Sequence, residues 1–244
     1  MMHITRTLIC LLALVFCCPW SAYAKDNTSA TMFARLSAQL ASGNPELKYT
    51  LGMMLNNGIG TAQDNQAAFR YFLEAAEGGN QLASFKVGCY YSGQFAGVVD
   101  RNEELALKFL LPVAEAGYDN AQAHLAMYYK KKLGDVNSAL IWWERASRQG
   151  NLASIAYLAE YFSASASTDK PKGFALMLIL QERMPKSTPQ LLERIASLES
   201  ELTAAEKIES ERIHRTWMRT PSAITLQARA GLANVPALLA ALER

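Results

Sequence analysis

Apolar and polar positions recur along this chain in a long period, and each period closes on a glycine. Gly43, Gly79, Gly117 and Gly150 end Ala-rich, helix-like runs at spacings of 36, 38 and 33 residues. Asn follows directly in three of the four, as Asn44, Asn80 and Asn151, and Asn120 stands shortly after Gly117. A fixed period of about 20–50 residues marks a stacked array of helical or strand units. Such an array presents surface rather than enclosing one pocket.

Four residues after each glycine the chain reads Leu47, Ala83, Ala121 and Ser154, and four further on Leu51, Val87, Leu125 and Leu158. The next position is small (Gly52, Gly88, Ala126, Ala159), and three beyond it stands a large residue: Leu55, Tyr91, Tyr129 or Phe162. Offsets of 0, 4, 5 and 8 share one helical face. The small residue admits a neighbouring helix. Turns rich in Gly, Asn, Ser and Asp follow, leading to Asp64, Asp100, Asp135 and Asp169 as N-caps or turn residues. The second helix of each unit carries a bulky residue eight before its closing glycine: Tyr71, Phe109 and Trp142. The glycine then takes the left-handed position after the helix. Each unit is therefore helix, loop, helix, and stacking makes the core.

The ends read as covers. Residues 30–42 predict one helix, with Phe33, Leu36 and Leu40 as its stripe. After Pro185 a helix starts at Thr188-Pro189 with Leu191, Ile195, Leu198 and Leu202 on one face. Thr203 and Glu206 make a capping box for a helix running to about Arg219, which Thr220-Pro221 breaks. Two short helical runs follow, the last at Ala237 to Glu243. The tail reads as a cover or as a separate partner-binding element.

The unit resembles the Sel1-like repeat, a relative of the tetratricopeptide repeat. That family runs approximately A-x-x-x-L-G-x-x-Y-x-x-G, then D-x-x-K-A, then W-Y-x-K-A-A-x-x-G. Leu51-Gly52, Gly58, Asp64, Ala68, Tyr71-Phe72, Ala75-Ala76 and Gly79 match it. So do Leu125, Tyr129, Ala139, Trp142-Trp143, Ala146 and Gly150. A fourth unit starts with Leu158, Phe162, Asp169 and Lys172, but Gly173 replaces the Ala and Met184 the closing Gly. The resemblance implies an all-α, right-handed α-solenoid of about four repeats over 44–185, with an N-terminal capping helix at 25–43 and a C-terminal helical cap at 186–244.

Residues 1–24 predict a secretory leader. Arg6 is its positive start, Leu8 to Cys18 its apolar run, and Ala22-Tyr23-Ala24 its cleavage site. The alternatives are an uncleaved anchor, or a lipoprotein signal at Cys17 or Cys18, where Phe16 or Cys17 stands in place of the usual small preceding residue. Cleavage after Ala24 gives a periplasmic chain. The net charge of +2 falls to +1 with the loss of Arg6, which leaves no electrostatic footprint for nucleic acid. Cys10, Cys17 and Cys18 also leave, so Cys89 remains alone, as a buried small hydrophobe or a reactive thiol.

Chemistry is sparse. The two remaining histidines, His124 and His214, lie far apart, and no metal, nucleophile-elbow or phosphate-loop motif occurs. Gly58-Ile59-Gly60 is explained by the repeat turn. The expectation is a protein with no catalytic residue, cofactor or metal, and no stable membrane insertion, that binds a protein partner. In related solenoids the first helices line the concave surface. There the unclaimed positions are Thr50, Lys86, His124 and Tyr157, then Met54, Tyr90, Tyr128 and Tyr161. The tyrosines read equally as interface anchors or as repeat packing. Lys130, Lys131 and Lys132 complement a helix C-terminus or dock an acidic partner. Lys86, Tyr90, His124, Tyr128, Lys130, Lys131, Tyr157 and Tyr161 are thus the candidate contacts. Two roles fit: a scaffold or adaptor, or an inhibitor or immunity protein that neutralises one periplasmic toxin or envelope enzyme. An envelope hydrolase is the third; the exported relatives linked to penicillin binding carry paired cysteines, which Cys89 alone does not match.

Overall fold

The computed structural model describes residues 27–164 and 169–243; the expected leader at 1–24 lies outside them. All regular structure among the described residues is helical. The chain divides into two compact units, and the division falls within one helix, α6 (Asp119–Tyr128). The first unit holds residues up to 121 together with 223–243; the second holds 122–222.

In the first unit α1 (Asn27–Ala38) packs on α2 (Pro45–Asn57), and α2, α3 (Asn65–Glu77), α4 (Gln81–Tyr91) and α5 (Glu103–Glu115) pack in succession. The predicted helix over 30–42 breaks after Ala38 and continues as a 3₁₀ turn at Leu40–Ser42. The closing Gly43, Gly79 and Gly117 have φ of 65°, 91° and 97°, and Gly150 of the second unit 86°, the left-handed conformation that a helix end favours. Asn44 and Asn80 then cap the next helices: their side chains accept N–H bonds from Leu47 at 3.1 Å and Ala83 at 2.8 Å. The hairpins that begin at Asn44 and Asn80 are therefore specified locally, by a glycine that ends one helix and the neighbouring asparagine that starts the next.

The small positions permit close approach. A Cβ on Gly52 would sit 2.7 Å from the Phe72 ring, and one on Gly88 would sit 2.6 Å from Leu110. The second-helix register differs by one residue from the sequence reading. Phe72, Leu110 and Trp143 are the buried bulky residues, while Tyr71, Phe109 and Trp142 are only half-buried. Two adjacent bulky residues satisfy the same spacing rule, but successive residues point about 100° apart and only one enters the stack. Similarly, Asn102 rather than Asp100 caps α5, accepting from Leu105 N–H at 2.9 Å.

The second unit holds the rest of α6, a π-helical turn at Tyr129–Leu133, α7 (Val136–Arg148), α8 (Leu152–Phe162), α9 (Lys170–Arg183), α10 (Pro189–Glu201) and α11 (Ala204–Thr216). Asn151 caps α8 by accepting from Ser154 N–H at 3.0 Å. Trp143, Ile155, Leu158, Met177, Leu180, Leu191 and Leu198 share one core. Both α10 and α11 pack on α9. The stripe of Leu191, Ile195, Leu198 and Leu202 is buried, and Thr203 with Glu206 forms the capping box. The α11 helix stops at Thr216, short of Arg219, and Ile208 on it is 69% exposed.

The expected C-terminal cover splits between the units. Its last two helices, α12 (Ala223–Ala230) and α13 (Val235–Leu242), belong to the first unit. There α13 packs on α2, and Ile224, Leu232, Val235 and Leu239 of the tail are buried. Arg35 pairs with Glu243 at 2.7 Å. Arg229 Nη2 pairs with Asp119 Oδ2 at 2.7 Å, where the Asp119 side chain is 6% exposed.

Candidate partner-binding face

The first helices, α2 and α4 in the first unit and α6 and α8 in the second, carry the candidate contacts. In the first unit their unclaimed positions are largely used up. Thr50 and Met54 are buried. Tyr90 has no exposed surface: its hydroxyl donates to Asn56 Oδ1 at 2.8 Å, and Phe95 stacks on its ring at 4.2 Å. Tyr90 is therefore a packing residue and is withdrawn from the contact set. The physical reason is the long loop after α4, which carries Phe95 back over the ring. Lys86 remains half-buried. Cys89 is buried, and burial pushes its thiol up to about 12, so almost no thiolate exists at neutral pH.

The second unit differs. His124, Tyr128 and Tyr157 are half-buried, Tyr161 is 43% exposed, and Lys130 and Lys131 are exposed. The π-helical turn at Tyr129–Leu133 ends at Gly134 with φ of 66° and contains Lys130, Lys131 and Lys132. Lys130 Nζ lies 5.4 Å from the ring centroids of both Trp143 and Tyr157. Those rings stack at 4.8 Å with planes 10° apart. The structure thus joins Lys130 to Tyr157, which the sequence reading took separately, and adds Trp143 beneath them. A cation over such faces is held at about 0.5–1 kcal/mol when exposed. Nearby in the chain, Tyr161 meets Phe162 edge-on at 5.2 Å, and Lys172 Nζ sits 4.2 Å over Phe162 while pairing with Glu144. Aromatic area and positive charge coincide here, an arrangement suited to carboxylate-bearing and aromatic side chains.

Sequence reasoning missed the π-helical turn and the destination of the tail. One signal for the latter was present. Tyr118, not Asn, follows Gly117, so the third unit lacks the cap of its neighbours. Among the described residues no group of three or more His, Cys, Asp or Glu side chains is placed to hold a metal ion. No helix there is long and apolar enough to cross a membrane.

A model of the Sel1 repeat matches residues 46–80, 81–118 and 120–151. The chain belongs to the Sel1 repeat family. Each matched Sel1 repeat spans one helical hairpin together with its closing glycine, and the hairpin of α8 and α9, expected as a degenerate fourth unit, follows the last match. Sel1 repeats generally mediate protein–protein interaction. Among solved structures, a Sel1 repeat protein from Oxalobacter formigenes is 30% identical, over 51% of this chain and 95% of that one, with a TM-score of 0.44. A protective antigen of uropathogenic Escherichia coli with an SLR fold is 19% identical, over 84% and 59%, with a TM-score of 0.31. An immunity protein from Pseudomonas aeruginosa is 14% identical, over 86% and 83%, with a TM-score of 0.36. No curated protein matches this sequence.

Proposed function

We propose that this Sel1 repeat protein is a non-catalytic adaptor of the periplasm, exported by the leader at 1–24. It binds a protein partner through the second unit's first-helix face. The observation that carries this reading is Lys130 seated over the stacked Trp143 and Tyr157 rings, with exposed Tyr161 four residues beyond Tyr157 on the same helix. His124 and Tyr128 belong to the same face by repeat register, and Lys131 follows Lys130 in the π-helical turn. Tyrosine offers a large contact area at small entropic cost, and lysine adds selectivity for acidic groups. The partner presents an acidic segment with at least one aromatic or aliphatic anchor.

The test is affinity capture from the periplasm of the native host, comparing the wild-type chain with Tyr161→Ala and Lys130→Ala variants. A protein retained by the wild type and lost from both variants supports the reading. If that partner is an enzyme whose activity falls on binding, the role is inhibitor; if several envelope proteins are retained together, it is adaptor. Equal retention by all three chains contradicts the proposed face. Mass spectrometry of the same material reads the mature N-terminus, expected at Lys25.

A further inference from the structure

The first unit holds a cavity of about 320 Å³ where the tail meets the first helices of two repeats. Glu46 of α2 and Leu82 of α4 contribute one side; Gln227, Asn234, Val235 and Leu238 of the tail contribute the other. This volume is at the small end of ligand sites, about 300–1,000 Å³. The walls mix aliphatic side chains with Tyr49 and the polar Thr50, Gln227 and Asn234, and one carboxylate, Glu46, stands among them.

The hydrogen bonds of that carboxylate are lopsided. Asn80 Nδ2 donates to Glu46 Oε2 at 2.7 Å, and Gln227 Nε2 approaches the same oxygen at 3.5 Å. Both of these bonds fall on Oε2, and Glu46 lines the cavity. Burial also pushes the Glu46 carboxyl above its usual range, outweighing both hydrogen bonds.

We infer that this cavity binds an alkylammonium group, a primary amine on a short aliphatic chain, with the ammonium on Glu46 Oε1 and the chain along Leu82, Val235 and Leu238. A guanidinium fits less well. Its fork grips both carboxylate oxygens, and Oε2 is already taken by Asn80 and Gln227. An ammonium is a point charge that needs a single acceptor on the carboxylate. The amide oxygens of Gln227 and Asn234 are further acceptors in the same lining. Two sources carry this chemistry, a lysine side chain of a protein and a free alkylamine. The site owes nothing to the face on the second unit, so either proposal can fail alone.

Methyl NMR of the purified protein tests it, with butylamine, Nα-acetyl-lysinamide, Nα-acetyl-argininamide and butanol as probes. Butylamine should shift the methyls of Leu82, Val235 and Leu238 saturably, and Glu46→Gln should weaken this about tenfold, the loss expected for one charge-assisted hydrogen bond. Binding of Nα-acetyl-lysinamide as tightly as butylamine supports a protein lysine as the source; binding of butylamine alone supports a free amine. No saturable shift, equal binding of butanol, undiminished binding in Glu46→Gln, or tighter binding of Nα-acetyl-argininamide overturns the inference. Should Glu46→Gln fail to fold, Leu238→Trp fills the cavity and keeps the carboxylate. Butylamine must then no longer move Leu82 and Val235, and retained binding there overturns the inference equally.

Discussion

Thr225 supplies to Asp119 what the repeat's own sequence leaves out. The backbone N–H of Asp119, first residue of α6, donates to Thr225 Oγ1 at 3.1 Å across 106 residues of chain. The same hydroxyl donates back to Gly117 O at 3.3 Å. In the other units an asparagine directly after the closing glycine caps the following helix; here that position is Tyr118. Tyr118 is 7% exposed and packs edge-on against Phe85 at 4.9 Å. The third unit has an aromatic core contact where the others have an asparagine cap, and the tail brings an oxygen to the first N–H of its helix.

Thr225→Ala should therefore destabilise the protein by about 1 kcal/mol, the usual cost of losing an N-terminal helix cap. Thr225→Ser keeps the oxygen and should lose much less. Urea unfolding of the three chains measures both.

The ion pair beside it behaves differently. Arg229→Met strips the partner from the nearly buried Asp119 carboxylate and should cost about 3 kcal/mol. Adding Asp119→Asn removes the stranded charge, so the double variant should be more stable than Arg229→Met alone. Equal stabilities of the single and double variants would show that solvent reaches Asp119 freely.

Much of this architecture is legible in the sequence because a helical hairpin is a local object. Gly43, Gly79 and Gly150, with the asparagines after them, announce helix ends through backbone conformation and side-chain capping alone. What stays hidden depends on neighbours. Phe72 and Tyr71 are equally bulky, and it is the neighbouring surface of Gly52, Tyr49 and Tyr90 that takes up Phe72. Tyr90 and Tyr161 occupy the same repeat position, yet Phe95 buries the first and the second stays 43% exposed. The docking of Thr225 and Arg229 spans more than a hundred residues and leaves no periodic trace. Lys130 stands in a π-helical turn, which three consecutive lysines do not announce.

Close packing at the small column gives a third prediction. Gly88→Ala would gain about 1 kcal/mol of helix propensity in an open helix. Here the added methyl meets Leu110 Cγ at 2.6 Å, and overpacking costs about 2 kcal/mol. A net loss of about 1 kcal/mol is expected on urea unfolding, and a net gain would contradict the packing described.

Stability should also report the Glu46 carboxyl. Burial raises it above the ordinary 4.5, so its protonated form favours folding; that contribution is present below 4.5 and is lost as pH rises through the raised folded-state value. Glu46→Gln mimics the protonated form. It should be more stable than wild type at neutral pH, and the advantage should vanish below the ordinary value. The cap carboxylates Asp135 and Glu206, which their hydrogen bonds hold low, titrate alike in both chains and cancel in the difference.

Site-specific photo-crosslinking in the native host tests the central claim most directly. A photoreactive phenylalanine analogue at Tyr161 should trap a discrete protein adduct in the periplasm, and the same analogue at exposed Leu111 of the first unit should trap none. An adduct at Leu111 with none at Tyr161, or no adduct at either, would contradict partner binding through the second unit's face.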